Sequence, residues 1–258
     1  MPDGRHFAAM ADTDPPMMYS SLAGWFHLIT PPADYVEDAA LILELLTEAL
    51  GEPPGTILEL GSGGGNNASH LKAHATPTLV DVSPAMLDQS RLINPELEHL
   101  VGDMRTIRLG RTFDAVLIHD AICYMTTEAD LRAAIETAHV HLRPGGAAVL
   151  APDHVSETYE PESSVEGHDG ADGRAIRYLE WSFDPHPEDG TVVTEFAYLL
   201  READGSVRLV GDRHVEGLFP RELWLRLLAE SGFEARSVID PWDRDIFIAR
   251  RSDTVGTR

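Results

Sequence analysis

Between residues 56 and 151, short apolar runs alternate with helix-period stretches, and this rhythm constrains the fold more than any other feature of the chain. The runs 56–60, 78–81, 97–101, 113–119 and 147–150 have the length and composition of strands. Helical patterns fill the gaps at 66–74, 84–92 and 127–142. Ser83 before Pro84 makes a helix N-cap with proline in the first turn, and Arg143-Pro144-Gly145-Gly146 stops the last of these helices. Apolar strands separated by helices specify a parallel sheet covered on both faces. The 258 residues allow one such domain with an insertion, or two small domains, and 43% hydrophobic residues supply a core.

The flanks have a different character. Residues 1–18 are polar and Pro-bearing and read as loosely attached. Residues 19–29 are rich in aromatics, and a helix is expected from Asp34 to Leu50, ended by Gly51-Glu52-Pro53-Pro54-Gly55. Beyond the fifth strand, residues 153–173 are rich in Glu, Asp, Gly, Ser and His and read as a long loop. Residues 174–183, 191–201 and 206–216 read as three antiparallel strands, with turns at Asp189-Gly190 and Asp204-Gly205. A helix at 220–231 and two strands at 234–239 and 245–250 close the chain. The expected domains are a flexible N-terminus and lid segment at 1–32, a nucleotide-binding domain from 33–152 and 218–251, and an inserted substrate-covering β subdomain at 153–217.

The chemistry concentrates in Glu59-Leu60-Gly61-Ser62-Gly63-Gly64-Gly65-Asn66, where the first strand meets its helix. Glycines let the backbone turn sharply and a ligand approach it, and the helix start offers free N–H groups. A dinucleotide fingerprint beginning at Gly61 would need glycine at 66, where Asn stands. Glu59 would repel a pyrophosphate but suits a ligand ammonium. Asp81 ends the second strand 20 residues after Gly61 (81 − 61), where a carboxylate can accept from both hydroxyls of a ribose.

In combination these residues resemble the class I S-adenosylmethionine (AdoMet)-dependent methyltransferases. Glu59-x-Gly61-x-Gly63-x-Gly65 matches that family's first motif, and Asp81 in Val80-Asp81-Val82-Ser83-Pro84 its ribose-binding acid. Gly102-Asp103-Met104 matches the adenine loop, Phe113-Asp114-Ala115-Val116 the fourth strand, and Leu142 to Gly146 the turn before the fifth. The resemblance implies a doubly wound, mostly parallel seven-stranded α/β sheet of Rossmann-like type with an inserted antiparallel β meander. It also implies AdoMet as cofactor, contacted by Glu59, Gly61, Ser62, Gly63, Asp81, Val82, Asp103, Met104 and His119. The insertion, ending in Arg213-His214-Val215-Glu216-Gly217-Leu218-Phe219, is similar in layout to small-molecule N-methyltransferases that act on deoxyamino sugars.

Transfer to a nitrogen or oxygen of a small-molecule acceptor is therefore expected. His119 at the fourth strand end stands either as general base or as cofactor contact, with Tyr19 and His154 beside it as catalytic candidates. Tyr19, Trp25, Phe26 and His27 read as a lid or as core packing. Asp153, His214 and Glu216 are further candidates, Cys123 reads as a buried structural thiol, and Asp114 as a turn residue. His168 and Asp169 read as solvated loop. No histidine spacing makes a metal signature, so no metal is expected. A net charge of −23 argues against nucleic acid as partner. No run approaches the roughly 20 apolar residues of a membrane span, and one cysteine fits a reducing cytoplasm. A homodimer is left open. The rival readings are an NAD(P)-dependent oxidoreductase and a non-catalytic AdoMet-binding scaffold.

Overall fold

The computed structural model describes residues 15–252. Two 3-10 turns, Met17–Tyr19 and Ala23–Trp25, lead into α1 (Phe26–Ile29), and a third, Pro32–Tyr35, into α2 (Val36–Leu50). There follow β1 (Thr56–Leu60), α3 (Asn66–Leu71), β2 (Thr76–Asp81), α4 (Pro84–Ile93), β3 (Glu98–Val101), β4 (Phe113–Ile118), α5 (Glu128–His141) and β5 (Leu142–Leu150). The insertion carries β6 (Glu162–Asp169), β7 (Ala175–Phe183), β8 (Thr191–Arg201) and β9 (Val207–Gly217). The chain returns through α6 (Arg221–Glu230), β10 (Phe233–Ile239) and β11 (Asp245–Arg251).

The main sheet has seven strands in the order β10-β11-β5-β4-β1-β2-β3. The inner pairs are parallel; β11 runs antiparallel to both β5 and β10. Side-chain alternation along the strands splits the core in two. Ile57, Ala115, Leu117, Ala147 and Val149 face α2 and α3 through Ala39, Ile42, Leu46 and Leu71. Leu58, Leu60, Val116, Ile118, Ala148 and Leu150 face the other way, against Leu131 and Ile135 of α5 and Trp224 of α6. The helix starts follow their capping residues: Ser83 Oγ accepts from the Met86 N–H, and Thr127 Oγ1 from the Asp130 N–H.

Three expectations are corrected. First, β6 lies where the sequence reads as loop, and pairs with β7 over its whole length from Glu162↔Ser182 to Asp169↔Ala175. It is an edge strand with little buried surface, so its side chains stay polar and only the backbone ladder makes it a strand. The antiparallel sheet therefore has four strands, in the order β6-β7-β8-β9. Second, β5 begins at Leu142, through the Arg-Pro-Gly-Gly stop, with an irregularity opposite Phe113 and Ala115. Proline cannot donate to the ladder, which bulges there instead of ending. Third, residues 1–18 lie mostly outside the described residues, but Met17 and Met18 are tied down. Their N–H groups each donate at 2.8 Å to the buried carboxylate of Asp212 in β9.

The segment from Met17 to Ile29 packs on the inner face of the antiparallel sheet. Met18, Leu22 and Trp25 form one core with Ile176, Tyr178, Tyr198 and Leu200. The same alternation puts Asp212, His214 and Glu216 of β9 on that inner face.

Candidate active site

The parallel strands β1, β2, β4 and β5 end at one edge of the sheet, the edge where ligands bind in open α/β folds. A cavity of about 450 Å³ lies there. It is roofed by the N-terminal segment through Tyr19, Phe26 and Tyr35, and reaches Glu216 of the antiparallel sheet.

The glycine loop after β1 is pinned to the end of β2. Gly61 and Ser62 donate to the Val80 carbonyl at 2.8 and 3.0 Å. Asp81 holds two loops at once, accepting from the Gly63 N–H on one oxygen and the Ser83 N–H on the other, both at 2.8 Å. Gly61 has φ +75°, and a Cβ there would meet Ala121 and come within 2.8 Å of Met104 Cε. The roof is fastened to this floor. His27 Nε2 lies 3.0 Å from the Gly64 carbonyl, Asn66 donates to the Thr30 carbonyl, and Ser83 Oγ donates at 2.5 Å to the Tyr19 carbonyl.

Glu59 shares the side of β1 occupied by Ile57 and is 3% exposed, and its Oε2 has no hydrogen-bond partner. Burial pushes its pKa up to about 8; nearby His119 opposes the rise and Asp81 adds to it. A buried carboxylate oxygen without a donor is a site for a cation, and the ammonium of AdoMet fits it. Asp81 keeps lone pairs free for a ribose. Val82 stands exposed at the rim and Met104 is buried beneath, both lining the cavity. Asp103 lines it too, but Arg105 holds its carboxylate through its own N–H and its guanidinium. That grip keeps Asp103 below the usual carboxylate range.

Two residues beyond Leu117, His119 projects to the α2 side of the sheet. Its Nδ1 lies 2.8 Å from Asp120 Oδ1 and its Nε2 3.7 Å from Asp38 Oδ1. Asp38 is itself bound by Arg244 from the turn between β10 and β11. Burial alone would lower the pKa of His119, but the two carboxylates overcome it and raise it to about 10. At neutral pH the ring is an imidazolium with no free lone pair. Of the two roles expected of His119, general base or cofactor contact, these surroundings favour the second, because the flanking carboxylates favour the protonated ring.

Past His119 the cavity is lined by acids and phenols: Asp120, Asp153, Glu216, Tyr19, Tyr35 and Tyr124. Asp120 and Asp153 share a hydrogen bond. Burial raises Asp120, but the His119 cation outweighs it and keeps this carboxyl ionised. Burial, then the charges of Asp120 and Glu216, push Asp153 well up, so it is the protonated member. Asp120 keeps 41% of its side-chain surface, but it faces a cavity walled by protein. Glu216 is raised by burial first.

The structure gathers Tyr19, Glu59, Gly61, Ser62, Gly63, Asp81, Val82, Asp103, Met104 and His119 around one cavity. It does not bring His154 there: that ring packs edge-on against Tyr159, with centroids 5.6 Å apart. Tyr35, Asp38 and Tyr124 went unread in the sequence. Tyr124 carried one signal, its place in the turn just after β4. Tyr35 and Asp38 carried none, since only packing brings them to the sheet edge. His168 lies in β6 rather than a loop, and no group of three or more His, Cys, Asp or Glu that would hold a metal occurs among the described residues.

Fold, glycine loop and the paired acids Glu59 and Asp81 define a class I methyltransferase domain. Residues 57–146 match the family model described as a methyltransferase domain. The chain is 28% identical to a dTDP-3-amino-3,4,6-trideoxy-alpha-D-glucopyranose N,N-dimethyltransferase of Streptomyces venezuelae, over 72% of this chain and 78% of that protein. It is 26% identical to a dTDP-4-amino-2,3,4,6-tetradeoxy-D-glucose N,N-dimethyltransferase of Saccharopolyspora spinosa, over 85% and 87%. Its fold matches DesVI of Streptomyces venezuelae with a TM-score of 0.80, at 24% identity over 90% of this chain and 98% of that one. The sugar N-methyltransferase KedS8 of Streptoalloteichus also gives 0.80, at 24% identity over 96% and 99%. Residues 57–146 thus match a methyltransferase domain, and the whole chain has the fold of AdoMet-dependent methyltransferases.

Proposed function

We propose that the acceptor is an amine on a nucleotide-linked deoxyamino sugar, making the chain a sugar N-methyltransferase. The observation that carries this reading is the acidic end of the cavity, where Asp120, Asp153 and Glu216 converge. An ammonium entering there gains a carboxylate partner, and the ionised Asp120 is placed to take its proton. A sugar hydroxyl holds its proton far too tightly for a carboxylate to remove. The relatives support the reading, because the substrates in their names are amino-deoxy sugars on dTDP.

AdoMet, when bound, supplies an electrophilic methyl group on a sulfonium. Glu59 would hold its ammonium, Asp81 its ribose, and Asp103 with Met104 its adenine. His119 keeps Asp120 charged, and Asp120 takes up the acceptor proton so that the nitrogen lone pair is free. The roof from Tyr19 to Tyr35 excludes water and confines the nitrogen to the roughly 3–3.5 Å approach that an in-line displacement needs. The test is incubation with AdoMet and dTDP-3-amino-3,6-dideoxy-α-D-glucopyranose, the substrate named for a Streptomyces fradiae relative. Mass spectrometry should show one and then two added methyl groups, and none on dTDP-glucose. Methylation of dTDP-glucose without methylation of the amino sugar would overturn the reading. Asp120→Asn should lower kcat by about a hundredfold.

We also read the chain as cytoplasmic and as a homodimer. Its single cysteine supports the first, and no described helix is long and apolar enough to cross a membrane. The second is supported by the outer face of the antiparallel sheet, where Leu179, Trp181, Leu199 and Leu209 are 42–53% exposed.

A further inference from the structure

Asp212 and His214 lie outside the donor site, but a continuous hydrogen-bonded chain runs from them into the acceptor end of the cavity. Asp212, 1% exposed, accepts the N–H groups of Met17 and Met18 at 2.8 Å and that of Arg213 at 3.1 Å. Its Oδ2 lies 3.3 Å from His214 Nε2. His214 Nδ1 lies 2.8 Å from the Tyr124 hydroxyl, and the Tyr19 ring packs edge-on against that of Tyr124 with centroids 5.7 Å apart. Phe196, Tyr19 and Tyr124 pack around the imidazole with ring centroids 4.8, 5.4 and 6.0 Å away and fix its plane. Tyr19 and Tyr124 both line the cavity.

The direction of this chain follows from donor and acceptor chemistry. A carboxylate has no proton to give, so the hydrogen between Asp212 and His214 belongs to Nε2. In a neutral ring Nδ1 is then a bare lone pair, and the Tyr124 hydroxyl must donate to it. The lone pairs of the Tyr124 oxygen then remain for the cavity that it lines. The hydrogen-bonding logic is that of the buried Asp–His pair of serine hydrolases, where the carboxylate sets the tautomer of the ring.

We propose that Asp212 and His214 are positioning residues that orient the Tyr124 hydroxyl so that it offers the acceptor pocket a hydrogen-bond acceptor beside its carboxylates, selecting a nitrogen that carries N–H groups and turning its lone pair toward the methyl donor. The same carboxylate also holds the roof at Met17 and Met18. This inference rests on the amine reading of the acceptor, but its first test does not.

That test is 15N NMR of the imidazoles of the full-length protein at pH 7, with the His214 signals identified by their loss in His214→Gln. His214 should be the neutral Nε2–H tautomer. An imidazolium, or the Nδ1–H tautomer, would overturn the proposal whatever the substrate proves to be. Asp212→Asn keeps an oxygen for the Met17 N–H and gives up the Met18 bond, while its amide in place of Oδ2 donates to Nε2, which drives the proton to Nδ1 and reverses the chain. The variant should show the Nδ1–H signature and bind AdoMet within about twofold of wild type. Its kcat on dTDP-3-amino-3,6-dideoxy-α-D-glucopyranose should fall by at least about tenfold. A switched tautomer with unchanged kcat would sink the positioning role. If wild type leaves the amino sugar unmethylated, the proposed function fails while the tautomer still decides the direction of the chain.

Discussion

Glu59 has a titration set against its function. In the free protein, burial raises it to about 8, so at pH 7 it is mostly protonated. A carboxyl whose folded pKa lies above its usual value favours the acid form. Its contribution to stability is complete below about pH 4.5 and is lost as pH rises through 8. A bound ammonium reverses the preference by giving the carboxylate a partner. Binding of AdoMet at pH 7 should therefore release about one proton, measured by calorimetry in buffers of different ionisation enthalpy. Glu59→Gln should release none and bind more weakly by about 2 kcal/mol, the scale of a lost charge-assisted hydrogen bond. Release of the same proton by the variant would show that another group titrates.

The glycine loop between β1 and α3 works as one element because its backbone is held at both ends, by Val80 and by Asp81. Gly61 is its tightest point. Gly61→Ala would force a side chain into a left-handed backbone, at a cost of about 1–2 kcal/mol, and press it against Met104 and Ala121. The variant should melt several degrees lower and bind AdoMet at least about tenfold more weakly, read by thermal shift with and without ligand. This loop was legible in the sequence because glycine spacing states a backbone conformation directly. The edge strand β6 was not legible, because a strand with both faces wet carries no apolar alternation and only its ladder to β7 marks it. His119 was legible by position at the end of β4, but not by charge state, which depends on Asp38 from α2.

For the whole molecule, two sheets share one cavity, and the second sheet turns its other face outward. Leu199 and Leu209 face each other there across β8 and β9, and Leu179 of β7 lies diagonally beside Leu199, opposite Ala197, with Trp181 beyond it. If a second copy covers this face, sedimentation should give twice the mass of 28.3 kDa. Leu199→Glu with Leu209→Glu should return it to the single mass without loss of AdoMet binding. A wild-type chain that sediments as one copy would refute the pairing.

By itself the sequence determined what is local. Strand–helix rhythm specified the parallel sheet, and Glu59, Gly61, Gly63, Gly65 and Asp81 specified a nucleotide-like donor of the AdoMet class, because their spacing along the chain is also their spacing around the turn. Only the tertiary structure decided what depends on distant segments meeting. It set Asp38 and Asp120 against His119, whose order in the sequence leaves base and cofactor contact equally open, and so favoured the protonated ring. It joined Asp212 and His214 of β9 to Tyr124 in the turn after β4 in one hydrogen-bonded chain, with Tyr19 of the N-terminal roof packed against it. It withdrew His154 from the cavity altogether. A side chain's charge and proton depend on which other groups share its buried space, and that is settled by packing rather than by order along the chain.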